Sequence, residues 1–581
     1  MESYFHQIAD ALSSALNNLG VKVAPHDLET PPDRTMGDIA FPCFKLAKAE
    51  KKAPQQIAAN LAKQLSGQAG LEKVTVSASG PYVNFTIPAN NAWTDFVEEI
   101  HKNPNFGARN EKSRGTWVWE YSSPNVAKPF QIYHLRVTIV GSTLAKISKY
   151  RGYNTVRINH LGDWGTQYGK LAVGLKKYAS TLPAVWTLHD LVRIYVQIHK
   201  DMETDPQIEV EGQAAFRRLE QGDPDMIAVW KKCIETSLQS FHEVYKMFDV
   251  EFDHFWGESF YQKQLAPLLE DLKKRKILVQ SEGAWVVPVT TRDGHEIPPC
   301  ILEKSDGATI YATRDIAAAL YRQQQFHFDR MSYVVGKEQL FHFEQIFGVL
   351  RAMGCEWESR CEHIATGTYR FQGAKMSTRK GNFVTLEEVL TLCREKSLEL
   401  IQSREQTAQD SNESRLDQQL IAEQVAIGAL VFADLSTDPN KDLEFDLERM
   451  ISFEGETGPY LQYAYTRCNS ILRKSGLQNF AQVNWKQCAN LASSPTEILL
   501  IKQLGRFPLI LERVLELRKP SQLTTYLVDL VKDFNAFYRD CKVIQEDQPD
   551  LTLARLAIVH AAKEILGKGL GFLGMPKPER M

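Results

Sequence analysis

The stretch EYSSPNVAKPFQIYH, residues 120–134, crowds turn formers and polar side chains between two apolar runs. A Ser-Ser-Pro-Asn turn, a lysine and a second proline read as a phosphate-handling loop. It runs on into a segment whose Leu135, Ile139 and Val140 are spaced for one apolar helix face. Glu120, Asn125 and Lys128 are its chemically capable side chains. Three further clusters follow. Tyr311 and Asp315 are four apart, on one face if Asp315 begins a helix. Gln339 and His342 lie in a third loop. Residues 373–386, GAKMSTRKGNFVTL, hold Lys375, Met376, Ser377, Arg379 and Lys380. Such a turn offers backbone and cationic donors to a polyphosphate. It is not a Walker loop, because the Gly-Lys-Ser/Thr order is absent. Each cluster alone is weak, since a lysine-rich turn is usually a solvated loop.

The elements around these clusters give them a common frame. TWVWEYSSPN is a strand entering a loop, with a helix from about His134. YNTVRINHLGDWGTQYG and RMSYVVGKEQLFHFEQIFGVLRAMG repeat the order of strand, loop and helix. Strands alternating with helices predict a parallel α/β sheet with ligands at the strand carboxyl ends. Before it, residues 1–108 mix amphipathic helices with KVTVSASGPYVNFTIP, paired strands around a Gly-Pro turn. The polar, glycine-containing HKNPNFGARNEKSRG then reads as a linker. From about residue 385 the pattern is almost wholly helical. The expected fold is therefore α/β plus all-α, with an α+β N-terminal domain (1–108), a parallel-sheet domain with insertions (109–385), a helical connection (386–455) and a helical bundle (456–581).

Composition sets the class. The 581 residues, 43% hydrophobic and 24% charged, are those of an ordinary globular protein with several cores. No run approaches the roughly 20 apolar residues a membrane span needs. The acidic, helix-periodic N-terminus is unlike an export signal. Nine cysteines carry no Cys-x-x-Cys pair, and Cys355, Cys361 and His363 match no common zinc spacing. The expectation is a cytoplasmic monomer holding no metal of its own. Net charge is −3, yet residues 457–581 carry 17 Lys and Arg against 11 Asp and Glu. A basic C-terminal part on an acidic body suits an extended polyanion; a chance excess on solvated helix faces explains it equally well.

EYSSPNVAKPF followed by HLR, then INHLGDWGTQYG, YATRD, KMSTRKGN, GPYLQYAYTR and a terminal PERM resemble the arginyl-tRNA synthetase family, in the family's order. MGDIAFPCFKLAK and GPYVNF are similar to its N-terminal tRNA-contacting domain. The resemblance implies a Rossmann-like class I catalytic domain and a helical anticodon-binding domain. Its implied substrates are ATP, with Mg2+ accompanying it, L-arginine and tRNA(Arg). A guanidinium is planar, permanently cationic and rich in donors, so its pocket calls for carboxylates and other acceptors. Glu120, Asp315 and the Tyr311 hydroxyl supply them. Asn125 and Gln339 match positions holding the amino and carboxylate end. The implied ATP contacts are Ser123, Tyr133, His134, Lys375, Met376 and Ser377. Lys375 leads the stabilisation of charge in the phosphoryl step. Thr378 stands where a second lysine is usual, and Lys128 is in place to replace its charge. Arg379 and Lys380 either help or meet tRNA phosphates. Tyr460, Tyr463 and Arg467 offer faces and charge to anticodon bases, although some of these tyrosines are core at helical spacing.

The first class I signature, His-x-Gly-His, is here Gln131-Ile132-Tyr133-His134. Gln131 stands where a histidine supports the triphosphate, and it can donate a neutral hydrogen bond but cannot become cationic. Tyr133 replaces the glycine against which adenine lies, so its ring either displaces the base or stacks on it. Two other readings stay open: a paralogue binding arginine or tRNA with weakened catalysis, and an enzyme passing activated arginine to a non-ribosomal acceptor.

Overall fold

The computed structural model describes residues 1–31, 33–109, 114–371, 385–405, 415–477, 479–480 and 483–581. The chain opens with α1 (Glu2–Ala15), which buries Tyr4, Phe5, Ile8 and Leu12 along one face. A three-stranded antiparallel sheet follows, formed by β1 (Ile39–Pro42), β2 (Thr75–Ser79) and β3 (Tyr82–Thr86) in the order β1-β3-β2. Between β1 and β2 lies α2 (Pro54–Leu65). The expected Gly80-Pro81 turn joins β2 and β3.

β4 (Thr116–Glu120) buries Trp117, Val118, Trp119 and Glu120, as a strand covered on both faces must. Its tryptophans are satisfied: Trp117 Nε1 donates to Ser332 Oγ at 2.8 Å and Trp119 Nε1 to Ser148 Oγ at 3.1 Å. Truncating either ring would cost about 3–5 kcal/mol. The chain returns through α3 (Ile132–Tyr150), two residues earlier than its pattern suggested, to β5 (Asn154–Asn159). Gly141 lets α3 lie against β4, because a Cβ there would sit 2.3 Å from that of Tyr121. A helical insertion ends in α4 (Pro224–Met247), and β6 (His254–Phe255) adds to the sheet edge.

An antiparallel sheet of β7 (Val279–Ser281), β8 (Ala284–Thr290) and β9 (Glu296–Glu303) precedes α5 (Tyr311–Phe326). Then come β10 (Arg330–Gly336), α6 (Leu340–Ala352) and β11 (Cys361–Thr366). The main sheet has the order β11-β10-β4-β5-β6, and every pairing in it is parallel. The chain leaves β4 toward β5 and leaves β10 toward β11, on opposite sides. The crevice at the carboxyl ends of β4 and β10 is therefore a topological switch point, where ligands bind in such sheets.

β12 (Tyr369–Phe371) pairs in parallel with β13 (Leu443–Phe445), so the stretch 386–455 holds a strand as well as helices α7 (Leu386–Glu405) and α8 (Arg415–Leu435). The C-terminal bundle comprises α9 (Gly458–Ser475), α10 (Phe507–Leu517), α11 (Ser521–Asp540) and α12 (Pro549–Leu573), together with shorter helices. α10 and α12 pack on α3, so one side of the sheet is roofed by the bundle. Arg151, 1% exposed, clasps three parts of the chain. Its Nη2 meets Glu2 at 2.7 Å, its Nε donates to Glu512 at 2.7 Å, and its Nη1 donates to the Gly107 carbonyl at 2.5 Å. Among the described residues, no helix is long and apolar enough to cross a membrane.

Candidate active site

The loop after β4 is held in a conformation its residues disfavour. Ser122, Ser123 and Ala127 have φ of 76°, 47° and 61°. Left-handed backbone at a non-glycine residue costs on the order of 1 kcal/mol or more and persists where surroundings over-determine it. Here they do. Ser122 Oγ accepts from Thr138 Oγ1 at 2.9 Å and lies 2.9 Å from the Tyr245 hydroxyl of α4. The Ala127 N–H donates to Ser237 Oγ at 3.0 Å. The Val126 N–H donates to the Gly162 carbonyl, and the Gly162 N–H to that of Pro124, each at 3.2 Å. A Cβ at Gly162 would fall 2.2 Å from Asn125 Oδ1. Asn125 is thus fixed against the loop after β5. Ser123 Oγ is buried with no hydrogen-bond partner among the described residues.

Gln131 caps α3, and its backbone N–H donates to His134 Nδ1 at 3.0 Å. That bond leaves the proton of a neutral imidazole on Nε2. Burial, with the nearby charge of Lys128, pushes the His134 pKa down to about 3. His134 is therefore a neutral donor at any working pH. Gln131 Oε1 is buried without a partner among the described residues. The half-buried Tyr133 ring sits 4.3 Å from that of His134, inclined at 55°. An α-helix amino end beside this constellation favours phosphate through its free N–H groups and dipole. Lys128 is exposed at its rim. Lys375, Met376, Ser377, Arg379 and Lys380 lie outside the described residues. Immediately after that segment, Thr385 bridges to Gln131 and the Leu386 N–H donates to the Phe130 carbonyl at 3.0 Å.

The acidic side of the crevice is more crowded than its sequence suggested. Glu120 is buried and ion-paired to Arg322, which is 1% exposed on α5. Asp315 accepts from His342 Nε2 at 2.6 Å and lies 3.6 Å from His160 Nε2. Burial pushes its carboxyl up, but His342, His160 and Arg322 hold it below the ordinary range. Glu258 stands beside it. Burial drives the Glu258 pKa up to about 8; Arg314 partly opposes this, and the Asp315 and Asp163 carboxylates add to it. Its Oε2 has no hydrogen-bond partner among the described residues. Tyr311, 64% exposed, begins α5 at the mouth, and Gln339 is exposed in the turn after β10.

The crevice thus gathers Glu120, Ser123, Asn125, Gln131, His134 and Asp315. It also contains Arg322, His160 and Glu258, which sequence reasoning missed. Arg322 was within reach, seven residues beyond Asp315 on the same helix face. Glu258 carries no local signal. A second missed residue type is a tether. Arg136 Nη2 donates to the carbonyls of Asp438, Pro439 and Lys441 at 3.2, 3.2 and 2.8 Å, tying α3 to the segment before β13.

On the C-terminal bundle, the Arg467 guanidinium lies 4.9 Å from the Tyr463 ring centre and 5.5 Å from that of Tyr538. Asn535 Oδ1 accepts from Arg467 at 3.2 Å, and its Nδ2 donates to the Tyr460 hydroxyl at 3.0 Å. Tyr463 and Tyr538 are exposed, whereas Tyr460 is part-buried. Tyr538 and Asn535 come from α11, out of reach of a reading along α9.

Three family models match the chain. They are "tRNA synthetases class I (R), catalytic domain" over residues 97–447, "DALR anticodon binding domain" over 461–581 and "Arginyl tRNA synthetase N terminal domain" over 6–87. The arginine–tRNA ligase of Alkaliphilus metalliredigens is 36% identical over 583 residues, covering all of both chains. That of Clostridium perfringens is 39% identical over 559 residues, covering 95% of this chain and 96% of the relative. The solved arginyl-tRNA synthetase of Thermus thermophilus superposes with a TM-score of 0.80 at 25% identity, covering 99% of each chain. The Plasmodium falciparum structure, at 23% identity and a TM-score of 0.81, shares the fold over 99% of this chain and 98% of its own. With its motifs, its sheet and its matches running from end to end, the chain belongs to the arginyl-tRNA synthetase family.

Proposed function

We propose that the protein is an arginine–tRNA ligase working through the crevice between β4 and β10. The arginine carboxylate attacks the α-phosphorus of ATP, the bond to the bridging oxygen breaks, and pyrophosphate leaves. A hydroxyl of the terminal tRNA ribose then attacks the adenylate carbonyl, and AMP leaves. One juxtaposition supports the reading most: a neutral His134 donor at the amino end of α3 shares the crevice with the carboxylates of Asp315 and Glu258. The first suits phosphate and the second a permanently cationic guanidinium.

Within this reading, Asp315 and Glu258 meet the guanidinium, with Tyr311 closing the mouth. Glu120, screened by Arg322, offers its second oxygen, while Asn125 and Gln339 hold the amino and carboxylate end. Ser123, Tyr133, His134, Met376 and Ser377 border ATP, whose Mg2+ arrives as part of the substrate. Gln131, Lys128 and Lys375 stabilise charge growing on the phosphates, largely by positioning. Arg379 and Lys380 take tRNA phosphates near the mouth. Tyr463, Arg467 and Tyr538, with Tyr460 behind them, form an anticodon platform. The protein acts as a cytoplasmic monomer, divided near residues 108, 385 and 455. Incubation with labelled arginine, ATP and tRNA tests the reading. Label should become acid-precipitable only with all three present; no ATP-dependent label on tRNA would overturn it.

A further inference from the structure

A cavity of about 810 Å³ opens at the far end of α3. Its wall joins Asn105, Ala108 and Arg109 of the linker, the last turn of α3, Arg157 of β5, one face of α12 from Lys563 to Phe572, and Tyr465 and Lys577. Lys149 lies 15 residues beyond His134 on one helix, about 22 Å away at 1.5 Å per residue. The cavity is therefore remote from the reaction centre. Seven of its lining residues are cationic and two acidic.

Some of this charge is already matched. Arg157 pairs with Glu251 and Asp253, Lys568 lies 3.5 Å from Glu564, and Lys146 donates to Asp249 at 2.7 Å. Lys149, Lys563 and Lys577 make no ion pair among the described residues, and they come from three separate segments. Lys149 and Lys577 are exposed and Lys563 is half-buried. Ammonium groups that share one cavity wall and outnumber its carboxylates repel one another, and a multiply charged anion relieves that repulsion. Burial holds the Lys146 ammonium below its ordinary range in spite of Asp249, a second cost that an anion would offset. The floor is open to a ligand: a Cβ at Gly571 would meet nothing nearer than Lys577 Nζ at 3.8 Å. Tyr150, Tyr465 and Phe572 supply an aromatic wall.

We propose that this three-part cavity is a second anion site for a free oligophosphate, inorganic or carried on a nucleoside. Its size is that of a small-ligand pocket, about 300–1,000 Å³, rather than of a groove tracking an RNA backbone. Because the linker, the catalytic sheet and the bundle each contribute a wall, bound anion pins them together.

Calorimetry with inorganic tripolyphosphate tests the site, using the full chain with its reaction centre filled by arginyl-sulfamoyl-adenosine. One equivalent should bind, with affinity falling at least about tenfold on removal of three phosphate-neutralising charges in Lys149→Gln/Lys563→Gln/Lys577→Gln. The same variant should charge tRNA at the parent rate without added tripolyphosphate. No heat in the parent, or equal affinity in the variant, overturns the proposal. So does a variant that loses tRNA affinity while the parent ignores tripolyphosphate, for the lysines would then serve RNA phosphates.

Discussion

In the proposed reading, Glu258 makes arginine binding a proton-linked event. With a pKa of about 8 in the free protein, it is mostly protonated at neutral pH. A guanidinium favours its ionised form, so binding expels the proton, and affinity rises as pH rises toward 8. The KM for arginine should fall by up to about tenfold per pH unit between roughly pH 6 and 8, then level off. Glu258→Gln should abolish that slope and weaken arginine by about 2–5 kcal/mol, leaving the KM for ATP unmoved. A slope that survives the substitution would place the titrating group elsewhere. In the same reading, Tyr133 and Gln131 border the other substrate. Tyr133→Gly should tighten ATP by removing a ring from the space beside the base, whereas Gln131→His should raise the adenylation rate with little change in binding. Equilibrium binding of ATP and single-turnover adenylation separate the two. Weaker ATP in Tyr133→Gly would mean that the base stacks on the phenol.

At the scale of elements, α3 presents its amino end to the crevice, and Arg136 fixes the height at which it does so. Lysine keeps the charge at 136 but cannot span three carbonyls with one planar fork. Arg136→Lys should therefore slow adenylation while preserving arginine affinity. Arg136→Met should also strip the cationic partner from buried Asp434, 3.7 Å away, leaving it the Tyr369 hydroxyl and costing about 3–5 kcal/mol in urea unfolding. The legibility of the sequence divides along the same line. α3, β4 and the phosphate loop are visible because their apolar spacing and turn residues are local. The Asp315–His342 bond joins residues 27 apart on two helices, and Arg322 of α5 pairs with Glu120 of β4. No window on the chain contains either pair. Glu120 accordingly looked like a free carboxylate, and the three-stranded sheet of β7–β9 merged into the stretch before Tyr311.

For the whole molecule, the crevice and the Tyr463–Arg467–Tyr538 platform are joined through α3, because α10 and α12 pack directly on it. Removing the bundle would expose the face of α3 that they cover, so substitution tests its role better than truncation. Arg467→Ala and Tyr538→Ala should each weaken tRNA by about 1–3 kcal/mol, the usual worth of one stacked base. The KM for arginine should not move. Unchanged tRNA affinity in both would remove the platform from the interface.

The Arg151 clasp also sets a timetable for synthesis. Its two carboxylate partners, Glu2 and Glu512, stand near opposite ends of the chain, the second of them 361 residues downstream of Arg151. At about 5–20 residues per second, a ribosome needs roughly 20–70 s to supply Glu512 after Arg151 has emerged. Throughout that interval Glu2 and the Gly107 carbonyl are the partners already synthesised, and α3 has no bundle to cover it. The strands of the catalytic sheet are thus all synthesised before the helices that cover α3, so its apolar face is left open in the half-made protein.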